Sequence, residues 1–164
     1  MRPLESRAVY SIHDLSSDHS EAGAFALDAD WISQLQRAAA DSPTGRTRVC
    51  LHRDHASPIQ EMLIAFAPGA DVAAHRHPGR VESLTAIAGR ATIDLFSPPG
   101  ESLGSIELAP ATDGGTFTVR FDGDGWHAVR PHECGFVVHE VAEGPFDPEA
   151  TEWLADHRDG NAPR

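Results

Sequence analysis

Two histidines and a glutamate lie close together in the middle of the chain, at spacings that suit a metal site. His75 and His77 are two residues apart, so in an extended strand both imidazoles point to the same face. Glu82 follows a Pro-Gly turn and begins the next strand, so a hairpin can return its carboxylate to that face. Imidazole and carboxylate groups bind first-row divalent metals. The stretch therefore predicts three ligands of one metal site.

His127, in the segment DGDGWHAV, is the predicted fourth ligand. It follows a Gly-containing turn at the start of another predicted strand, and we expect Trp126 before it to form part of the cavity wall. On an octahedral ion, four protein ligands leave two positions for substrate, water or dioxygen, which is typical of a catalytic site. The spacing of His75 and His77 taken alone is also compatible with two exposed histidines and no metal.

Five further side chains are candidates for substrate contact or proton transfer. Arg48, Cys50 and His52 alternate onto one face of a predicted strand, and that face meets either the cavity or solvent. Glu140 lies in an apolar strand and is either a general acid or base with a raised pKa or a salt-bridged strand glutamate. Arg80, in the turn after the histidine pair, either binds an acidic substrate at the cavity mouth or only belongs to the turn.

The elements that must position these groups are mostly short strands. After Gly45 the apolar residues recur with period two, and Pro and Gly residues separate the runs. The predicted strands cover residues 46–52, 61–67, 83–88, 91–96, 105–109, 116–121 and 135–142. Short strands at such regular spacing are typical of a β-sandwich or barrel. The sequence therefore predicts an all-β fold.

Two helices and one extension complete the predicted organisation. Asp28 or Asp30 can cap an amphipathic helix that ends before Ser42-Pro43. A short helix is predicted after Pro148, over EATEWLADHR, packed outside the barrel with its Trp and Leu on the barrel wall. Residues 1–27 are polar and weakly patterned, and we interpret them as an N-terminal extension. Residues 28–164 then form a single domain, as the length also indicates.

Composition excludes several classes of partner. The 164 residues include 13 basic and 25 acidic ones, for a formal net charge of -12, so nucleic acid and anionic membranes are poor partners. No apolar run is long enough for a membrane span. The N-terminus lacks an uninterrupted apolar stretch of the signal-peptide type, and we expect a cytoplasmic protein. The two cysteines match no zinc or redox spacing.

The central stretch resembles the first motif of the cupin superfamily and matches it at every fixed position: Gly69, His75, His77, Glu82 and Gly89. The second cupin motif, usually Pro-x-Gly-x-x-His-x3-Asn, is degraded. Asp122 and Asp124 stand at its Pro and Gly positions, Pro131 stands at its Asn, and His127 is retained. The resemblance implies a small jelly-roll barrel with a metal inside.

Three longer strings, PIQEMLIAFAPGADVAAHRH, GWHAV and HEVAEGPFDP, carry a narrower resemblance over roughly residues 30–155. They are similar to the WbuC-type cupin-fold metalloproteins. That family commonly has Asn where Cys50 stands, and a more basic, Pro-containing link after HRH. It is defined mainly by fold and metal site, with some members lying among sugar or surface-polysaccharide genes. The resemblance therefore implies a fold and a metal rather than a reaction.

We expect a divalent-metal-binding cupin that acts as an enzyme on a small polar or acidic metabolite. Iron(II) is the favoured ion, and the same ligands accept manganese, nickel, cobalt or zinc. An oxygenase using iron(II) and dioxygen and a redox-neutral isomerase or lyase both fit, as does a non-catalytic sugar- or metabolite-binding protein. The expected partners are a small-molecule substrate and a second copy of the chain, since pairing covers exposed sheet edges.

Overall fold

The fold is known from a computed structural model that describes residues 9–11, 24–98 and 100–154. These residues contain one α-helix, nine strands and two short 3-10 turns, Ala111–Asp113 and Pro148–Ala150. The helix and strands are β1 Val9–Ser11, α1 Ala29–Asp41, β2 Arg46–Cys50, β3 Ile59–Phe66, β4 Val72–Arg76, β5 Glu82–Phe96, β6 Ser102–Leu108, β7 Thr118–Phe121, β8 Trp126–Glu143 and β9 Glu152–Trp153. Within the described ranges, no helix has the length and hydropathy needed to cross a bilayer.

All nine strands belong to one sheet built around β8. The strand order is β1-β2-β3-β8-β4-β9, and β5 also pairs with β8 while carrying β6 and β7. The C-terminal half of β8 pairs with β3 and its N-terminal half pairs with β4. The all-β prediction is confirmed, although the strands that the structure describes do not close into a barrel. Among the described strands, β1 and β9 end the sheet at opposite sides with no strand joining them.

β5 runs through a position where the sequence predicts a break. Gly89 separates the predicted strands 83–88 and 91–96, yet the structure has one continuous strand that pairs with β8 along both halves. The register shifts between Gly89 and Ala91, and Gly89 adopts a φ of 71°. A Cβ there would overlap the carbonyl oxygen of Gly135 on β8. The glycine therefore permits a bulge that bends the strand pair without ending it.

α1 covers one face of the sheet. Asp28 caps it by accepting from the backbone N–H groups of Asp30 and Trp31, at 3.0 and 3.1 Å, and the predicted cap is thus Asp28. The apolar side of the helix buries Leu35 against a cluster that includes Val49 of β2. A second apolar cluster lies on the other face and includes Leu84, Phe136 and Val138. Both faces of the central strands are therefore packed, which fixes the register of the sheet.

The predicted C-terminal helix is not present in the described residues up to 154. The segment forms the short 3-10 turn at Pro148–Ala150 and then β9, which pairs antiparallel with β4. The Leu154 N–H donates to the carbonyl oxygen of Ala74 at 2.9 Å, and Leu154 is buried. Pairing with the free edge of β4 thus overrides the local helical pattern of EATEWL. The remainder of the predicted helix, like most of residues 1–27, lies outside the described residues.

Candidate metal centre

Four of the residues selected from the sequence come together where β4, β5 and β8 meet. His75 on β4 and His127 on β8 are cross-strand partners in the antiparallel ladder. His77 follows the end of β4, and Glu82 is the first residue of β5, held between β7 and β8. The antiparallel strand pairs therefore bring all four side chains to one end of the sheet.

A tight turn between β7 and β8 sets the position of His127. Gly123 adopts a φ of 81°, and a Cβ there would be 2.7 Å from the backbone nitrogen of Arg80. The two turns therefore pack directly on one another, and only a glycine fits the contact. This packing ties the start of β8 to the turn that precedes Glu82.

The distances within this group are short. The ring centroids of His75 and His127 are 4.4 Å apart, and those of His75 and His77 are 5.1 Å apart. The Oε2 atom of Glu82 lies 3.7 Å from Nε2 of His77 and 3.7 Å from Nε2 of His127. Three of the four residues are almost fully buried, with 8% of His75, 4% of Glu82 and 1% of His127 exposed.

Backbone carbonyl groups select one tautomer of two of the histidines. His75 Nδ1 lies 2.9 Å from the carbonyl oxygen of Ala73, and His127 Nδ1 lies 3.0 Å from that of Gly125. A carbonyl oxygen only accepts, so each Nδ1 carries the proton and donates it. Each Nε2 is then left with a free lone pair, which is the form that binds a metal.

Burial keeps the imidazoles neutral. It is the largest cause lowering the pKa of His77 to about 4 and that of His127 to about 3, and neighbouring histidines add to the effect. Burial likewise lowers the pKa of His75. Burial raises the pKa of Glu82 well above its usual value, and the carboxyl group of Glu140 raises it further. Near pH 7 the three imidazoles therefore carry no proton that a metal would have to displace.

The donor set fits a divalent transition ion, although the side chains are not at full ligand spacing. Within the described part of the chain, no three His, Cys, Asp or Glu side chains already form a closed metal-binding group. Two donors that each lie about 2.0–2.2 Å from one ion can be up to about 4 Å apart, which accommodates both 3.7 Å separations. Glu82 Oε2 is also buried with no hydrogen-bond partner. A cation is the kind of partner this oxygen lacks.

A cavity of about 460 Å³ opens beside this group, a size typical of sites for small organic molecules. All four residues line it. Its walls are mainly aliphatic and aromatic side chains of the inner apolar cluster, among them Ile64, Leu84, Phe136 and Val138. The group therefore sits at the wall of an apolar pocket.

Glu140 lies on the cavity wall, as one of the two sequence interpretations requires. It pairs across the ladder with Leu84, two residues along β5 from Glu82, so the two carboxyl groups are diagonal neighbours. Burial raises the pKa of Glu140 to about 7, and the charges of Arg48 and Arg80 act in the opposite direction. Its carboxyl group can therefore gain or lose a proton near neutral pH.

Arg80 and Arg48 both line the cavity, but they differ in their contacts. The guanidinium of Arg80 donates to the carbonyl oxygen of Glu143 through Nε, at 2.7 Å, and through Nη2, and it lies over the ring of Phe146. These contacts support the interpretation of Arg80 as part of the turn. The guanidinium of Arg48 makes no hydrogen bond to any described residue.

Three other predicted contacts are placed elsewhere. Trp126 precedes His127 on β8 and so points to the opposite side of the sheet. There it packs with Ala74, Ala128 and Leu154 and not on the cavity wall that we expected. Cys50 does not line the cavity, although Arg48 and Glu140 both act on the pKa of its thiol, which burial raises.

His52 is also outside the cavity. Its Nδ1 accepts from the backbone N–H of Glu61 at 3.1 Å, a bond that ties the end of β2 to β3. This bond gives His52 a local structural role.

The sequence analysis missed several residues that hold the ligands in place. The ring of Phe121 stacks on that of His127 with centroids 4.0 Å apart, and Trp153 lies 5.1 Å from the ring of His75. Thr151 Oγ1 is 3.3 Å from Nδ1 of His77. Phe121 gave no signal, because only the pairing of β7 with β5 brings it there.

Sequence comparison identifies a family. The profile of the family described as "Domain of unknown function (DUF6016)" matches residues 27–108, half of the chain. This range includes α1 and three of the four clustered residues. Among proteins with curated descriptions, none matches the sequence significantly.

Comparison of structures shows the cupin fold. Oxalate oxidase in complex with the substrate analogue glycolate superposes with a TM-score of 0.52 at 14% identity, over 69% of this chain and 57% of that one. Oxalate decarboxylase from Bacillus subtilis superposes with a TM-score of 0.50 at 20% identity, over 62% of this chain and 25% of that one. A mutant of the same decarboxylase gives 0.50 at 21% identity, over 60% and 25%. The chain spans about a quarter of the length of these decarboxylases.

Proposed function

The chain belongs to the family described as "Domain of unknown function (DUF6016)", and from the geometry of its cavity we propose that it is a metal-dependent cupin enzyme. In this proposal His75, His77, Glu82 and His127 hold one divalent transition ion. The substrate is a small organic molecule that enters the cavity beside them.

One observation carries the proposal. Glu82 Oε2 is buried without a hydrogen-bond donor, and the Nε2 atoms of two neutral histidines lie 3.7 Å from it. An isolated carboxylate in such a place is costly, and neutral imidazoles cannot compensate it through their acceptor nitrogens. Three imidazoles and a carboxylate around one ion satisfy every group at once.

The chain's own residues divide the remaining work. A bound divalent ion would supply Lewis acidity and open coordination positions for a substrate. The backbone carbonyls of Ala73 and Gly125 orient two of the imidazoles, and Phe121 and Trp153 limit their rotation by contact. The carboxyl group of Glu140 is placed to hold or move a proton at the cavity wall.

The identity of the ion and the type of reaction are tested separately. The sequence favours iron(II) and leaves an oxygenase and a redox-neutral isomerase or lyase open, and the likeness to WbuC-type proteins adds no reaction. Protein purified without oxygen and analysed for metals identifies the ion. Oxygen consumption with candidate substrates then separates an oxygenase from the other two classes. Ligand binding with no turnover of any substrate would indicate a non-catalytic binding protein.

Metal stoichiometry tests the proposed ligands. We expect the wild-type protein to bind one equivalent of a divalent transition ion, and His75→Ala and His127→Ala to bind less than a tenth of that at the same free concentration. His132→Ala removes a histidine outside the cavity and serves as the matched control. Unchanged binding in the first two variants, or its loss in the control, would reject this ligand set.

A further inference from the structure

Arg48 differs from the other two arginines on the cavity wall. The guanidinium of Arg46 donates through Nη2 to the carbonyl oxygen of Asp71, at 3.3 Å, and has further contacts. That of Arg80 donates to the carbonyl oxygen of Glu143. The guanidinium of Arg48 makes no hydrogen bond to a described residue, and its Nε is buried without an acceptor. A buried donor without a partner is costly, so this position favours a ligand that accepts hydrogen bonds.

The wall around Arg48 is apolar. In the ladder, Arg48 of β2 pairs with Ile64 of β3, which pairs with Val138 of β8, and all three line the cavity. In the next inward-facing row of the ladder, Phe66 of β3 pairs with Phe136 of β8, and their rings stack with centroids 6.3 Å apart. Both phenylalanines line the cavity. Across β3 and β8 from the two arginines of β2, the wall is therefore formed by apolar side chains that suit hydrocarbon.

Arg48 and the proposed ligands occupy different parts of the cavity. Arg48 is on β2 and is linked through Ile64 to Val138 in the C-terminal half of β8, whereas His127, with His75 beside it, is at the N-terminal end of β8. A molecule that spans the cavity can thus bind Arg48 at one end and reach the metal ligands at the other.

We propose that Arg48 binds the carboxylate of a substrate whose body is aliphatic or aromatic, with the opposite end of the molecule directed at the proposed metal ligands. This names the substrate class of the proposed function and rests on it. A guanidinium matches a carboxylate with two parallel hydrogen bonds. The nearby carboxyl group of Glu140 disfavours a doubly charged phosphate, and the apolar part of the wall disfavours a sugar.

Binding of four small probes to the metal-free protein tests this inference, because without an ion a carboxylate has no metal to bind. The probe 3-phenylpropanoate has both a carboxylate and an apolar body. Its amide has the apolar body without the charge, and acetate has the carboxylate without the apolar body. Phenyl phosphate has an apolar body and a phosphate in place of the carboxylate. Calorimetry should show 3-phenylpropanoate binding at least tenfold more tightly than each of the others. Equal affinity for the amide, tighter binding of the phosphate or no binding of the carboxylate would overturn the inference.

Three variants assign the effect to Arg48. Arg48→Met should weaken 3-phenylpropanoate binding at least tenfold, and Arg48→Lys should weaken it less because it keeps the charge without the paired donors. Arg37→Met, on the exposed side of α1, makes the same change in net charge and should bind as the wild type does. If neither Arg48 variant loses affinity, or if the control loses as much, the assignment fails.

The experiment separates failure of this inference from failure of the proposed function. Metal affinity, measured with manganese(II) alone, should be unchanged in Arg48→Met, since Arg48 is not a proposed ligand. Thermal unfolding of that variant should be no less cooperative than in the wild type, because the replaced guanidinium has no hydrogen bond to lose. Loss of metal affinity together with probe binding would mean that Arg48 has only a structural role. A wild type that binds the probe and no metal would reject the metal proposal alone.

Discussion

Histidine and glutamate side chains lie side by side both outside and inside the cavity. The carboxylates outside are exposed to solvent, whereas the one inside is buried. Outside, His139 Nε2 lies 2.9 Å from Glu61 Oε1, and His132 Nε2 lies 3.2 Å from Glu107 Oε2. These side chains are between 31% and 57% exposed. Inside, Glu82 is almost fully buried, and its two nearest imidazole nitrogens are both 3.7 Å away.

The difference in burial explains why the same pair of residue types, histidine and glutamate, has a different energetic cost at the two places. At the surface, water solvates the carboxylate oxygens that the histidine does not contact, so such pairs contribute little to stability. In the interior no water compensates the Glu82 carboxylate, and an unpaired buried charge is costly. We therefore expect the inner group, and not the outer pairs, to depend on a cation.

The largest expected difference between the two places is in metal affinity. Glu82→Gln should weaken binding of a divalent transition ion by at least about 100-fold, since partners outside the ligand shell alone are worth about 10–100-fold. Glu61→Gln makes the same change in an outer pair and should leave the affinity unchanged. Competition with a chromophoric chelator measures both. Equal affinities in the two variants would show that Glu82 matters no more for metal binding than a carboxylate of an outer pair.

Metal removal should destabilise the folded protein. An ion at 100 times its dissociation constant stabilises the native state by about 2.7 kcal/mol, so chelation should lower the melting temperature by several degrees. The double variant His75→Ala/His127→Ala should melt at the same temperature with or without metal. A metal-dependent shift that survives in this variant would place the binding site elsewhere, for example at the outer pairs.

Glu140 should make the stability of the metal-free protein fall as the pH rises. Its pKa is raised in the folded state to about 7 from a usual value of 4.5, so the folded state holds a proton that the unfolded state releases first. The stabilisation is complete below the unfolded pKa and is lost as the pH rises through about 7.

Denaturant unfolding at a series of pH values checks this. The difference in free energy of unfolding between Glu140→Gln and the wild type should be constant at low pH and should grow in favour of the variant as the pH approaches 7. Parallel curves for the two proteins over the whole range would contradict a buried, proton-holding Glu140.

The smallest effect is expected in an outer pair. His132→Ala removes contacts to Thr92 and Glu107 and should cost about 0.5–1 kcal/mol of unfolding free energy, with metal affinity unchanged. Chemical denaturation provides the measurement. A loss of several kcal/mol would show that the outer pair is more than a solvated surface contact.

Local patterns in the sequence were enough to predict much of the architecture. The period of two predicted most strands, and an aspartate before an amphipathic stretch predicted the start of α1. The proximity of His75, His77 and Glu82 follows from a strand, a Pro-Gly turn and a second strand, all within a few residues of one another.

Features that depend on distant partners could not be predicted in this way. β9 forms because β4 offers a free edge, although its own sequence has a helical pattern. Trp126 points away from the cavity because only the residue beside it, His127, faces inward. Which face of β2 meets the cavity depends on how β2 packs on β3. In the structure Arg48 lines the cavity, whereas His52, beyond the end of β2, does not.

The central claim is that three imidazoles and Glu82 hold one divalent ion, and anomalous scattering tests it most directly. Crystals grown with manganese, iron or zinc should give one strong anomalous peak within about 2.3 Å of Nε2 of His75, His77 and His127 and of a carboxylate oxygen of Glu82. Diffraction data from such crystals with no peak at that point, or with the strongest peak at the outer His132–Glu107 pair, would contradict the account.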